Sequence, residues 1–319
     1  MLVNNFNIKI DYLRISVTDR CNLRCIYCMP PEGIINKPHE ELLTLEEIVR
    51  LVSIFTSLGI SKIRLTGGEP LVRRGIVNLV ESLASVEGIE EVFLTTNGTL
   101  LSFYAEGLKK AGLRRINISL DTLKEDKFKK ITRSNSFHRV LEGIDKAKEV
   151  GFYPLKLNVV VMKGINEDEI IDFVDFALSQ GITLRFIEFM KLNSLWRQDY
   201  YMPLGEVRRI CAARFSLRMI GKTGPGPAIY YELEKGRVLG FIKTSQDNCK
   251  RCNRLRITST GELKVCLYEA QDFCLRGLLR NGLIDEEIKE IIKSRIEIKE
   301  YTSYKNWNSP GVYMSSLGG

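Results

Sequence analysis

The chain has 319 residues, a formal net charge of +8 and a hydrophobic fraction of 44%. That length suffices for one large barrel or two domains, and the apolar fraction is that of a globular protein with a sizeable core. No run approaches the ~20 uninterrupted apolar residues of a membrane span, and the start "MLVNNFNIKIDYLRIS" lacks a signal-peptide core and cleavage site, so a cytoplasmic protein is expected.

The first β-rich run is "YLRISV" (12–17), followed at once by the cysteine-bearing "CNLRCIYC". "TLEEIVRLVSIFTSLG" then opens with a capping box from Thr44 to Glu47, keeps an apolar stripe and stops at Gly59, which predicts a helix. Further β-rich runs follow: "KIRLTG" (62–67), "VFLTTN" (92–97), "INISLD" (116–121), "LKLNVVV" (155–161) and "LRFIEFM" (184–190). The helical patterns "NLVESLASV", "FYAEGLKKAG", "FHRVLEGIDKAKEVG" and "NEDEIIDFVDFALSQG" lie between them, several ending on glycine. Strand–helix alternation implies a parallel sheet with right-handed crossovers, either an open doubly wound sheet or a barrel of the TIM type. Glycines, hydroxyls and charges cluster at the C-terminal ends of these runs, the edge where both folds build their sites.

After Met190 the alternation fades, and a Gly/Pro cluster places a soft boundary at Gly226. The expected regions are 1–226, the β/α unit, and 227–319, a β-hairpin, further cysteines and a lysine-rich helical stretch ending in a polar tail. "GKT" at 221–223 is not a P-loop, because Ser216 stands where G-x4-G-K-[ST] needs glycine.

Reduced cytosolic thiols in clusters point to metal ligands or redox groups before disulfides. Cys21, Cys25 and Cys28 form one group and Cys249, Cys252 and Cys266 another, while Cys211 and Cys274 stand apart. Zinc wants four ligands, and the first group has only His39 nearby as a fourth. An iron–sulfur cube on three cysteines would instead leave one iron open to another ligand. The second group could recruit Cys274, so on spacing alone zinc and iron–sulfur stand level there. "CNRLRIT" weighs against plain zinc: Arg254 and Arg256 alternate on a predicted strand and share one face, where paired guanidiniums suit phosphate. Arg14, Arg64, Thr95 and Lys156 lie on or beside four different predicted strands, and only a site that gathers strand ends could unite them. The basic balance agrees with a polyanionic partner, nucleic acid or a phosphorylated small molecule.

The C-x3-C-x2-C spacing directly after a strand, with Tyr27 before the third cysteine, resembles the radical S-adenosylmethionine enzymes. The whole chain is similar to one branch of them, the GTP 3′,8-cyclases that begin molybdenum cofactor biosynthesis. The resemblance runs through "LRISVTDRCNLRCIYCMP", "IRLTGGEPLVRR", "LTTNG", "NISLDTL", "KLNVVVMKGIN", "RFIEFM", "CNRLRIT", "KVCL" and the terminal Gly318-Gly319. It implies an α/β fold, a partial TIM-type (β/α)6 barrel with a C-terminal extension carrying a second cluster. It further implies two 4Fe-4S clusters, the first on Cys21, Cys25 and Cys28 for S-adenosylmethionine, the second on Cys249, Cys252 and Cys266, whose open iron meets the guanine. Cys274 is then spare and Cys211 a buried thiol. Tyr27, Gly68, Ser119 and Met190 are expected around S-adenosylmethionine. Arg14, Arg64, Thr95, Lys156, Arg254 and Arg256 are expected on GTP, with Lys62, Thr66 and Arg185 in reserve. The implied partners are GTP, an external one-electron donor and the next pathway enzyme, cyclic pyranopterin monophosphate synthase, with no nucleic acid and no membrane, as a monomer or homodimer. "MSSLGG" and "FMKLNSLW" depart from the usual pattern of that branch. Two alternatives remain at this point: a radical maturase acting on a peptide, which the arginine pair and Gly-Gly end disfavour, and a basic zinc protein binding RNA.

Overall fold

A computed structural model describes residues 2–3, 7–223, 226–233, 236–243, 251–267 and 273–297. Cys249 and the Gly318-Gly319 end lie outside the described residues.

Six strands, β1 (Tyr12–Ser16), β2 (Lys62–Thr66), β3 (Glu91–Thr96), β4 (Arg115–Ser119), β5 (Lys156–Val161) and β6 (Thr183–Glu188), pair in parallel in chain order. A doubly wound sheet reverses its order at a switch point, whereas this one advances strand by strand, the topology of a barrel wall. Helices α1 (Leu45–Ser57), α2 (Ile76–Ala84), α3 (Leu101–Lys110), α4 (Glu125–Thr132), α5 (Phe137–Glu149) and α6 (Ile170–Gln180) fill the crossovers. α7 (Leu204–Arg214) and β7 (Arg218–Gly221) follow β6. The remaining strands are β8 (Ile229–Glu232), β9 (Val238–Ile242), β10 (Arg254–Ile257), β11 (Glu262–Lys264) and β12 (Phe273–Cys274), and the chain continues into helices α8 (Leu275–Arg280) and α9 (Asp285–Glu297).

Strand periodicity divides the wall into two chemistries. Leu13, Ile15, Ile63, Leu65, Ile116, Ile118, Leu157 and Val159 are buried in the core that the helices share. Each such aliphatic side chain contributes roughly 1.5–3 kcal/mol on burial. Alternate positions, among them Arg14, Arg64, Asn117 and Lys156, line the lumen.

Both edges of the six-stranded wall are extended from beyond Gly226. β9 pairs in parallel with β6, and β10 pairs in parallel with β1. Antiparallel additions then end the sheet, β8 and β7 on one side and β11 and β12 on the other, so the barrel stays open. The Thr44 capping box forms, with Glu47 N donating to Thr44 Oγ1 at 3.1 Å and Thr44 N donating to Glu47 Oε2 at 2.8 Å. The same Glu47 carboxylate pairs with Arg280 at 2.7 Å, fastening α8 to α1.

Sequence periodicity misses α4 and α7. α4 buries only Phe128, Ile131 and Thr132 among lysines and acids, and α7 only Leu204, Val207 and Cys211, stripes too thin to stand out.

α5 lies against the turn after β3 at Gly143, where an added Cβ would stand 2.6 Å from the Gly98 carbonyl oxygen. Gly143→Ala gains helix propensity but drives a methyl into backbone that has no rotamer to yield. We expect a net loss of about 1–3 kcal/mol in denaturant unfolding; unchanged stability would mean that α5 slides freely on that turn.

Candidate active site

The loop after β1 carries the first cysteines and is held by main-chain contacts. Arg24 N donates to Thr132 O and Ile26 N to Ile131 O, both at 2.9 Å, so the loop lies along the end of α4. Cys28 N and Met29 N both donate to Cys25 O, at 2.9 and 3.1 Å, folding the loop back on itself. Tyr27 donates its hydroxyl to Asp121 Oδ2 at 2.6 Å, and Asn193 Nδ2 donates to the Tyr27 carbonyl at 3.1 Å. These bonds tie the third cysteine's neighbour to the ends of β4 and β6. Asp121 also accepts from Val160 N, yet burial, the main cause, pushes its carboxyl up to about 6.

Gly68 sits where the loop after β2 meets the loop after β1. An added Cβ would stand 2.3 Å from the Arg20 carbonyl oxygen and 2.8 Å from that of Asp19. Only glycine permits that approach. The next residue, Glu69, is buried and accepts from Thr96 Oγ1 at 2.7 Å, Asn97 N at 2.6 Å and Leu71 N at 3.0 Å. Burial outweighs those bonds and pushes the carboxyl up to about 7.

A cavity of about 400 Å³ fills the lumen. Cys21, Cys25 and Cys28 line it, and so do Cys252 and Cys266. Tyr27, Gly68, Ser119 and Met190 line it too, as do Arg14, Arg64, Thr95, Lys156, Arg254 and Arg256. All the expected site residues within the described part of the chain thus face one space. Of those held in reserve, Thr66 and Arg185 line it, whereas Lys62 is bonded to Asp11 at 2.7 Å outside it. Cys211 is buried in the core, its thiol pushed up to about 12 by that burial. Cys274 is exposed and caps α8, accepting from Gly277 N at 3.4 Å.

The register explains how the cations converge. Arg256 of β10 pairs with Arg14 of β1, which pairs with Arg64 of β2. Arg64 is largely committed to the wall: its guanidinium bonds the Tyr12 hydroxyl, the Leu94 carbonyl at 3.1 Å and Thr95 Oγ1 at 3.2 Å. It also lies over the Phe93 ring, 4.9 Å from the centroid, with Arg115 on the same ring at 5.5 Å.

Burial first, and then the Arg256 charge, hold the Arg14 guanidinium well below its usual pKa range. Arg256 and Arg185 are lowered chiefly by burial. Burial, then the neighbouring Arg185, push Lys156 down to about 8. Six arginines and two lysines line the cavity, against Glu69 and Glu188. Nε of Arg185, Arg254 and Arg256 are buried without a hydrogen-bond partner among the described residues. Buried guanidinium nitrogens without a protein partner are costly and suit a multiply charged anion.

The thiols fit a cluster. Among the described residues no three His, Cys, Asp or Glu side chains converge on a single ion. In a 4Fe-4S cube each thiolate binds its own iron, so three cysteines spread along one loop and facing a cavity suit it.

Sequence reasoning gave no role to Glu69, Asn117, Asn158, Arg115 or Tyr230, which also line the space. Asn117 and Asn158 share the alternation of Ser119 and Lys156 on β4 and β5, a signal that period-two counting could have used. Tyr230 lies on β8, outside the alternating pattern.

The fold and this site define a class, since the sequence pattern of the Radical SAM superfamily matches residues 15–177. The pattern described as Molybdenum Cofactor Synthesis C matches residues 182–305. The GTP 3′,8-cyclase of Thermodesulfovibrio yellowstonii is 46% identical over 99% of both chains. That of Syntrophomonas wolfei is 48% identical over 93% of both. The chain belongs to the GTP 3′,8-cyclase family. The crystal structure of Streptococcus suis SuiB bound to S-adenosylmethionine has the same fold, with a TM-score of 0.60 at 18% identity over 88% of this chain and 68% of that one.

A lysine with a pKa near 8 loses its charge in mildly alkaline solution. Affinity for inorganic triphosphate is therefore expected to fall as pH rises from about 7 to about 9, the ammonium being present below the pKa and lost above it. Lys156→Arg, which stays charged, should flatten that fall. An identical profile in the variant would remove Lys156 from the anion site.

Proposed function

We propose that this chain converts GTP to 3′,8-cyclo-7,8-dihydro-GTP, the first step of molybdenum cofactor biosynthesis. The observation that carries the reading is one cavity lined by the three thiols of the β1 loop, by Cys252 and Cys266, and by a belt of cations, of which Arg64 and Arg185 are buried and Arg14, Lys156, Arg254 and Arg256 half-buried. Membership of the cyclase family supports it.

In this reading Cys21, Cys25 and Cys28 hold one 4Fe-4S cluster, and Cys249, Cys252 and Cys266 hold the second. When bound, the first cluster and S-adenosylmethionine supply a carbon radical able to take hydrogen from C3′ of GTP, whose ring closure onto C8 gives the product after reduction. The chain's own residues place the two molecules. The Gly68 main chain takes the amino group of S-adenosylmethionine, while Tyr27, Ser119 and Met190 flank its nucleoside. Arg14, Lys156, Arg254 and Arg256 hold the triphosphate, and the Arg64–Thr95 pair braces the wall beside it. Fixing C3′ and C8 within one lumen is the larger part of what the protein contributes.

An external one-electron donor is required, and the product passes to an enzyme that builds cyclic pyranopterin monophosphate. No helix among the described residues is long and apolar enough to cross a membrane.

Anaerobically reconstituted protein supplied with GTP, S-adenosylmethionine and a reductant should release 5′-deoxyadenosine in a GTP-dependent manner together with the cyclised nucleotide. Absence of both from fully loaded protein would overturn the reading. Cys21→Ala should abolish S-adenosylmethionine cleavage and remove about half of the iron and labile sulfide. The double variant Arg254→Ala/Arg256→Ala should keep its iron content but raise the KM for GTP by roughly 100-fold or more, as expected for two lost charge-assisted contacts; an unchanged KM would exclude the pair from the substrate site.

A further inference from the structure

Tyr230 enters the lumen from a strand outside the six-stranded wall. It is 5% exposed, and its β8 backbone is two strands away from β6, across β9. Gly240 of β9 pairs with Tyr230 on one side and with Arg185 on the other, so the three residues form one row across the sheet. An added Cβ at Gly240 would stand 2.8 Å from Arg185 Cγ and 2.9 Å from Tyr230 Cε1. Both side chains therefore occupy the space that a side chain at position 240 would take.

From there the Tyr230 hydroxyl reaches two cations. Lys156 Nζ is 3.4 Å away, and Arg185 lies beside the same tyrosine across Gly240. Arg185 is buried, and its Nε and Nη2 have no partner among the described residues. A phenolic oxygen has two lone pairs and one proton. With Lys156 donating to one lone pair, the second is open to Arg185 and the O–H to an acceptor in the cavity.

We propose that Tyr230 is a positioning residue, holding Lys156 and Arg185 in register for the phosphate oxygens of the nucleotide, and that Gly240 is the gap through which it reaches them. This rests on the reading of the cavity as a GTP site. Without the hydroxyl, two like charges face one another with no neutral acceptor between them, and their geometry is left to mutual repulsion.

The test uses the holoenzyme with both clusters loaded, comparing wild type, Tyr230→Phe and Gly240→Ala. Tyr230→Phe should raise the KM for GTP and the inhibition constant of inorganic triphosphate together, by roughly 10- to 150-fold, the usual worth of one hydrogen bond to a charged group. The kcat and the KM for S-adenosylmethionine should stay within about twofold, because the lost interaction is uniform binding. Gly240→Ala, which displaces the ring and Arg185 from each other and keeps the hydroxyl, should show the same selective rise. A Tyr230→Phe enzyme with wild-type GTP and triphosphate constants overturns the proposal. So does a variant in which kcat and both KM values worsen alike with a lowered melting temperature, since that is loss of packing. A wild-type holoenzyme that ignores GTP while still cleaving S-adenosylmethionine would instead refute the functional reading itself.

Discussion

Taking several cations out of water into one lumen costs free energy, and the strands that carry them must supply the offset elsewhere. Each does so through its other face. Arg14 alternates with Leu13 and Ile15, Arg64 with Ile63 and Leu65, and Lys156 with Leu157, so each strand pairs an inward charge with aliphatic side chains sealed under helices. A one-residue slip in any strand would put a charge beneath a helix and leave leucine in the lumen, and register is correspondingly well specified. Partial internal compensation comes from rings and hydroxyls: the Phe93 ring has two guanidiniums over it, and Tyr12 and Tyr230 offer oxygens to Arg64 and Lys156. The Nε atoms of Arg185, Arg254 and Arg256 that they leave without a partner among the described residues suit an anion.

The last third of the described chain completes this belt. β10 adds Arg254 and Arg256 beside Arg14, and β9 sets Gly240 beside Arg185. The two edges of an open six-stranded wall would otherwise present unpaired backbone, and the extension uses those edges to bring Cys252 and Cys266 to the cavity that Cys21, Cys25 and Cys28 already face. At the C-terminal end of the strands, main-chain contacts take over from side-chain charge. Gly68 against Arg20, the Glu69 carboxylate on three donors and Tyr27 on Asp121 together fix a loop that has little regular structure of its own.

Much of this was legible beforehand. The six wall strands and the long amphipathic helices announce themselves by period, and the cysteine spacing with its tyrosine carries the chemistry of the first cluster. Short elements with thin apolar stripes, α4 and α7, did not stand out, because eight to eleven residues rich in Lys, Arg and Glu give little periodic signal. Lys62, a reserve candidate for the triphosphate, is paired with Asp11, a contact between residues 51 apart that spacing cannot reveal.

By itself the sequence determined which faces are apolar, where helices begin and stop, and which thiols and arginines share a segment, since these depend on local spacing alone. Only the tertiary structure decided that the strands run in order around a lumen, that Arg256, Arg14 and Arg64 stand in one row, and that Cys274 turns away to cap a helix. It alone decided that Tyr230 crosses Gly240 to reach Lys156. The reason is physical: these contacts join residues from distant parts of the chain, and their register is set by burying every outer face at once.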